Sequence, residues 1–93
     1  PALERDAKGA AATYRTVVAA GDAFLSYSEP AKAAGFYEKA LTLAGADRNL
    51  VLTRLGIAQI ASGNPAAARE NLAQVEGARA PIAKLWAAYA AQK

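Results

Sequence analysis

Val17-Val18-Ala19-Ala20-Gly21-Asp22-Ala23-Phe24 and Leu52-Thr53-Arg54-Leu55-Gly56-Ile57-Ala58-Gln59 overlay at a shift of 35 residues. Gly21 falls on Gly56, Ala20 on Leu55 and Val17 on Leu52; further on, Leu25 falls on Ile60, Pro30 on Pro65, Ala33 on Ala68 and Tyr37 on Leu72. A glycine in mid-helix costs about 1 kcal/mol relative to alanine. A helix keeps one where another backbone passes close by, and Ala33 and Ala68 are the expected small partners on the following helix. Two helical hairpins recurring at this period predict a stack of helical repeats.

The punctuation agrees. Ser28-Glu29-Pro30 offers a capping serine before a first-turn proline. Gly45 stops one helix and Asp47 caps the next, while Gly63-Asn64-Pro65 reads as stop, cap and first helical position. Gly77 to Pro81 marks a further break. Apolar residues three and four apart predict five helices between these marks, over residues 10–27, 30–43, 48–62, 65–76 and 81–92. The last carries its stripe on Ile82, Leu85, Trp86 and Tyr89. No stretch alternates as a strand does.

At these residues the chain resembles the tetratricopeptide repeat family. Its first copy reads Val17-x-x-Ala20-Gly21-x-x-Phe24, then Ala33-x-x-x-Tyr37-x-x-Ala40-Leu41. Its second reads Leu52-x-x-Leu55-Gly56-x-x-Gln59, then Ala68-x-x-x-Leu72-x-x-Val75, and a partial third reads Trp86-x-x-Tyr89-Ala90. Gly35-Phe36-Tyr37-Glu38-Lys39-Ala40-Leu41 is the most specific match. Gln59 stands where the family has an aromatic, and Glu76 where it has an apolar residue, which predicts a fourth helix ending near Val75 and a looser core around Gln59. The resemblance implies an all-α fold, a right-handed solenoid or superhelix of about five antiparallel helices. Residues 1–13 are then a lead-in or a frayed helix start, 14–48 the first repeat, 49–80 the second and 81–93 a terminal helix.

Composition narrows the functions open to such a chain. Of its 93 residues 54% are hydrophobic, but 27 of these are alanine, so the large apolar set is small and leaves little room for a cofactor between helices. Without Cys or His there is no disulfide, no thiol nucleophile and no imidazole base or ligand. Asp22 and Glu29, the nearest mid-chain carboxylates, belong to different elements and are read as solvated, as are Arg15 and Arg54. The net charge of +3 is spread without a cluster, and no apolar run approaches a membrane span. RNA reading by helical hairpins needs polar readers that recur, yet Val18 overlays Thr53 and Asp22 overlays Ile57. The sequence therefore predicts no enzyme, cofactor, metal or small-molecule substrate, expects no nucleic-acid partner while keeping RNA binding as a minor alternative, and leaves the compartment unassigned.

In the resembled family the first helix of each repeat lines a groove that takes peptides. Carried over, the groove residues are Arg15, Val18, Asp22, Leu25 and Ser26 in the first repeat. In the second they are Leu50, Thr53, Ile57, Ile60 and Ala61. Val18 and Asp22 stand where the carboxylate-gripping subclass places Lys and Asn, so that activity is not implied. Val18, Leu25, Leu50, Ile57 and Ile60 would instead form an apolar patch for a protein or peptide partner, a partner helix or a second copy. Trp86, with Leu85 and Tyr89, is expected to plug the core of the second hairpin. The leading expectation is a non-catalytic interaction or assembly module. The alternative is a structural cap or homodimerisation domain of a larger protein, which the opening Pro1 without Met and an alanine-rich, bacterial-looking composition suit.

Overall fold

The computed structural model describes residues 13–43 and 45–92. Among these the chain is all-helical, with α1 (Tyr14–Ser26), α2 (Pro30–Ala40), α3 (Arg48–Ala61), α4 (Pro65–Leu72) and α5 (Ala80–Ala91), the last entered through a 3₁₀ turn at Gly77–Arg79. Of the predicted lead-in only Thr13 is described. It caps α1, its hydroxyl oxygen accepting from the Thr16 amide at 3.3 Å. Asp47 does the same for α3 through the Leu50 amide at 3.2 Å, so each cap satisfies an amide that has no partner within its own helix. Each helix packs on the next in chain order, and α3 also touches α5.

Turns at 27–29 and 62–64 fold α1 onto α2 and α3 onto α4, and they are built alike. The Glu29 amide reaches the Phe24 carbonyl at 2.8 Å, and the Asn64 amide reaches the Gln59 carbonyl at the same distance. Ser28 was expected to cap α2, but Glu29 holds the N-cap position and no side chain caps it. Ser28 instead adopts φ +63°, matched 35 residues later by Gly63 at +87°. The turn requires a left-handed residue there, and glycine meets that need without a Cβ penalty.

The two mid-helix glycines are held by close approach, though of a side chain rather than a backbone. A Cβ on Gly21 would lie 2.6 Å from Cε1 of Tyr37, and one on Gly56 would lie 2.5 Å from Cγ of Leu72. The small partners Ala33 and Ala68 are both fully buried. A second pair of positions also meets in both hairpins. Phe24 stacks on Phe36 with ring centroids 5.5 Å apart, and at the corresponding sites Asn71 donates to the Gln59 side-chain oxygen at 2.9 Å. That bond satisfies the buried Gln59, and no buried side-chain polar atom among the described residues is left without a partner.

Two apolar clusters share α3 as a wall. Val51, Leu55 and Ala58 join residues of α1 and α2, while Leu52 and Ile60 join Ala68, Leu72 and Val75 with Ala83 and Ala90 of α5. The fourth helix is shorter than the periodicity predicts, ending at Leu72, although Val75 is still buried in the turn that follows. The side chains of α3 draw the chain out of the helix there. Asn49 accepts the Glu76 amide at 3.0 Å, and Arg48 donates to Gln74 at 3.1 Å.

Candidate functional site

The predicted groove residues divide into two sets. Arg15, Val18, Asp22 and Leu50 come together, with Tyr14, Ala19 and Asp47, around a shallow depression of about 440 Å³ between α1 and the start of α3. Leu25, Thr53, Ile57 and Ile60 do not line it. Leu25 packs at the edge of the first cluster, Ile60 is buried in the second, and Ile57 is half-buried. Thr53 is buried with its hydroxyl donating to the Asn49 carbonyl at 2.8 Å, the usual way a helical threonine satisfies itself. Ser26 and Ala61 are exposed at their helix ends. Val18 and Ile60 are largely buried and contribute little surface to the apolar patch expected on this face.

Beside the depression lies a network that the sequence did not announce. Asp22 and Arg54 were expected to be solvated, yet Asp22 accepts from the Tyr37 hydroxyl at 2.5 Å on one oxygen and from Arg54 Nη1 at 2.6 Å on the other. The three residues belong to α1, α2 and α3, so one carboxylate ties three helices. Burial pushes the Tyr37 hydroxyl well above the ordinary phenol range. The hydrogen bond and the negative charge of Asp22 push the same way, and Arg54 opposes them. A phenol held this firmly neutral is a poor proton carrier near neutral pH. The chemistry of the network is that of a latch. The one sequence signal for it is indirect: the phenol that fills the space over Gly21 has to end beside residue 22.

The larger surprise is on α5. The stripe of Ile82, Leu85, Trp86 and Tyr89 does not plug the second hairpin as a unit. Ile82, Leu85 and Tyr89 are 52%, 73% and 43% exposed. Trp86 alone packs partly against the second cluster, with Tyr89 edge-on at 6.0 Å. The face turned inward is Ala83 and Ala90, with Ala87 beside them. Periodicity finds an apolar stripe by its large residues, but alanine fits more closely against a neighbouring helix. The exposed stripe borders a shallow hollow of about 510 Å³.

Among the described residues no group of acidic side chains is placed to hold a metal ion, and no helix is long and apolar enough to cross a membrane. Comparison with known proteins gives no match among protein-family models, curated proteins or solved structures.

Proposed function

We propose that this chain is a non-catalytic protein–protein interaction or assembly module, built from two tetratricopeptide-like hairpins and a closing helix. The recurrence of the Gly21–Tyr37 contact as Gly56–Leu72, and of Phe24–Phe36 as Gln59–Asn71, supports the repeat. The observation that carries the function is the exposed apolar stripe of α5. Contiguous apolar surface of this kind marks an interaction site on a small folded domain.

The register of α5 ties that stripe to the predicted groove. Its inward residues Ala83, Ala87 and Ala90 each stand 32 positions after Val51, Leu55 and Ala58, the α3 residues that pack back on the first hairpin. This register differs by two residues from the sequence alignment that sets Trp86 on Leu52, and in it Ile82, Leu85, Trp86 and Tyr89 occupy the places of Leu50, Thr53, Arg54 and Ile57. Those in turn lie 35 positions after Arg15, Val18, Ala19 and Asp22. On this reading the stripe continues, as a third rung, the face that carries Arg15, Val18, Asp22 and Leu50. The positions that match Leu52, Gly56 and Ile60 are Lys84, Ala88 and Gln92, all exposed. A face so polar and small suits the outer side of a terminal helix, which favours a capping role at that side.

The test is a photo-crosslinking residue placed at position 85 in the protein expressed in its own cells, with position 70 on α4 as the control. Protein adducts at 85 that are absent at 70 are expected. No adduct at 85, or equal adducts at both positions, would overturn the proposal.

A further inference from the structure

Resting on that proposal, we infer that the occupant of the α5 stripe is a second copy of this chain, its own α5 lying antiparallel against the first.

A two-fold pair requires a surface that is complementary to itself. The stripe has this property about a point between Leu85 and Trp86. Antiparallel pairing sets Ile82 against Tyr89 of the second copy and Leu85 against its Trp86, so each aliphatic side chain meets an aromatic one. No charge lies within the stripe. Lys84 is the only ionisable group in α5 other than Tyr89, and it stands off the stripe.

The ends of the helix fit the same geometry. Arg79 is exposed at the N-cap of α5, where no side chain caps the helix and no acidic residue occupies the first turn. A cation at a helix N-terminus is opposed by that helix's dipole. In the antiparallel pair Arg79 instead faces Gln92 and the last carbonyls of the second copy's α5. These carry the negative end of that helix's dipole. Both ends of the pair gain this contact at once.

Size sets the strength. Fully buried aromatic side chains remove about 150–250 Å² each and aliphatic ones somewhat less, but only about half of each stripe residue is still exposed. The eight side chains of two stripes therefore remove on the order of 800 Å² from water, short of the roughly 1,200–2,000 Å² of stable complexes. The pair is therefore weak and reversible.

Sedimentation equilibrium of the 93-residue chain from about 10 μM to about 1 mM, near physiological salt, tests it. The wild type is expected to pass from monomer to dimer. Leu85→Glu weakens association by at least about 10-fold, because the dimer must bury a charge at its centre twice. Arg79→Glu weakens it about 3- to 10-fold, because the favourable helix-end contact is reversed. Lys84→Glu makes the same change in net charge off the stripe and leaves the dimer intact. All three substituted positions are exposed, and far-UV circular dichroism verifies unchanged helicity. A wild type still monomeric at 1 mM, or a Leu85→Glu protein that dimerises like the wild type, would overturn the inference. A monomeric wild type whose position 85 crosslinks to a different protein removes the second copy as occupant while leaving the interaction proposal standing.

Discussion

The two hairpins put equivalent positions in contact and fill them with opposite chemistry. In the first, aromatic rings meet at Phe24 and Phe36, and a polar latch runs from Tyr37 through Asp22 to Arg54. In the second, the ring positions hold the hydrogen-bonded Gln59 and Asn71, and the latch positions hold Ile57 and Leu72. A helical hairpin of this shape asks for a fixed spacing between its helices, set by Gly21 and Gly56, and for partners that satisfy each other. It does not ask for a particular kind of partner.

The comparison can be broken most forcefully at the ring positions. Phe24→Ala removes a buried ring and is expected to cost about 3–5 kcal/mol. Asn71→Ala, at the site corresponding to Phe36, leaves the buried Gln59 oxygen without its donor and costs about 1–3 kcal/mol. Urea denaturation followed by circular dichroism measures both. Equal losses would mean that the chemistry of the contact does not matter to its strength.

The glycines come next. Alanine normally stabilises a mid-helix glycine site, but here the added Cβ meets Tyr37 or Leu72, and overpacking costs about 1–3 kcal/mol. Gly21→Ala is expected to lose more than Gly56→Ala. The Tyr37 ring is rigid and anchored by its hydroxyl, whereas leucine can change rotamer. Thermal melts rank the two, and a rise in melting temperature for either substitution contradicts the close approach.

The latch gives an effect of similar size to the glycines, with a pH signature. Tyr37→Phe deletes a hydrogen bond to a carboxylate and is expected to cost about 1.5–3 kcal/mol near neutral pH. The folded protein holds the Tyr37 proton more tightly than the unfolded chain does. The stabilisation is therefore complete below the ordinary phenol value of about 10 and is lost as pH rises from there through the higher folded value. The difference in stability between wild type and Tyr37→Phe should shrink steadily above pH about 10. The Asp22–Arg54 pair is more than a third exposed on both sides, so Arg54→Ala should cost no more than about 1 kcal/mol and less at high salt. The smallest change is a gain. Ser28→Gly imports the residue the second hairpin already uses at that left-handed position and should stabilise by about 0.5–1 kcal/mol.

What the sequence revealed and what it hid follow from the same facts. Gly21, Gly56, Ala33, Ala68, Pro30 and Pro65 mark a repeat because close packing between helices and the geometry of a helix start leave few residue types for those places. The latch stayed hidden because Asp22, Tyr37 and Arg54 lie on three helices, and nothing local to each residue distinguishes a bridged charge from a solvated one. The early end of α4 was hidden for a similar reason, since the side chains that capture the chain belong to α3. On α5 the large apolar residues were legible as a face, but not which way that face points. Alanine, the commonest residue in the chain, supplies the inward side.

A single transplant measures whether the hairpins share one frame. Gln59→Phe with Asn71→Phe places the first hairpin's ring pair in the second. If the frame is common, the two rings stack as Phe24 and Phe36 do. The double variant then melts cooperatively within about 5 °C of the wild type or above it, while Gln59→Phe alone, which strips Asn71 of its acceptor, melts lower. A double variant that loses helicity, or melts below the single one, would contradict the account.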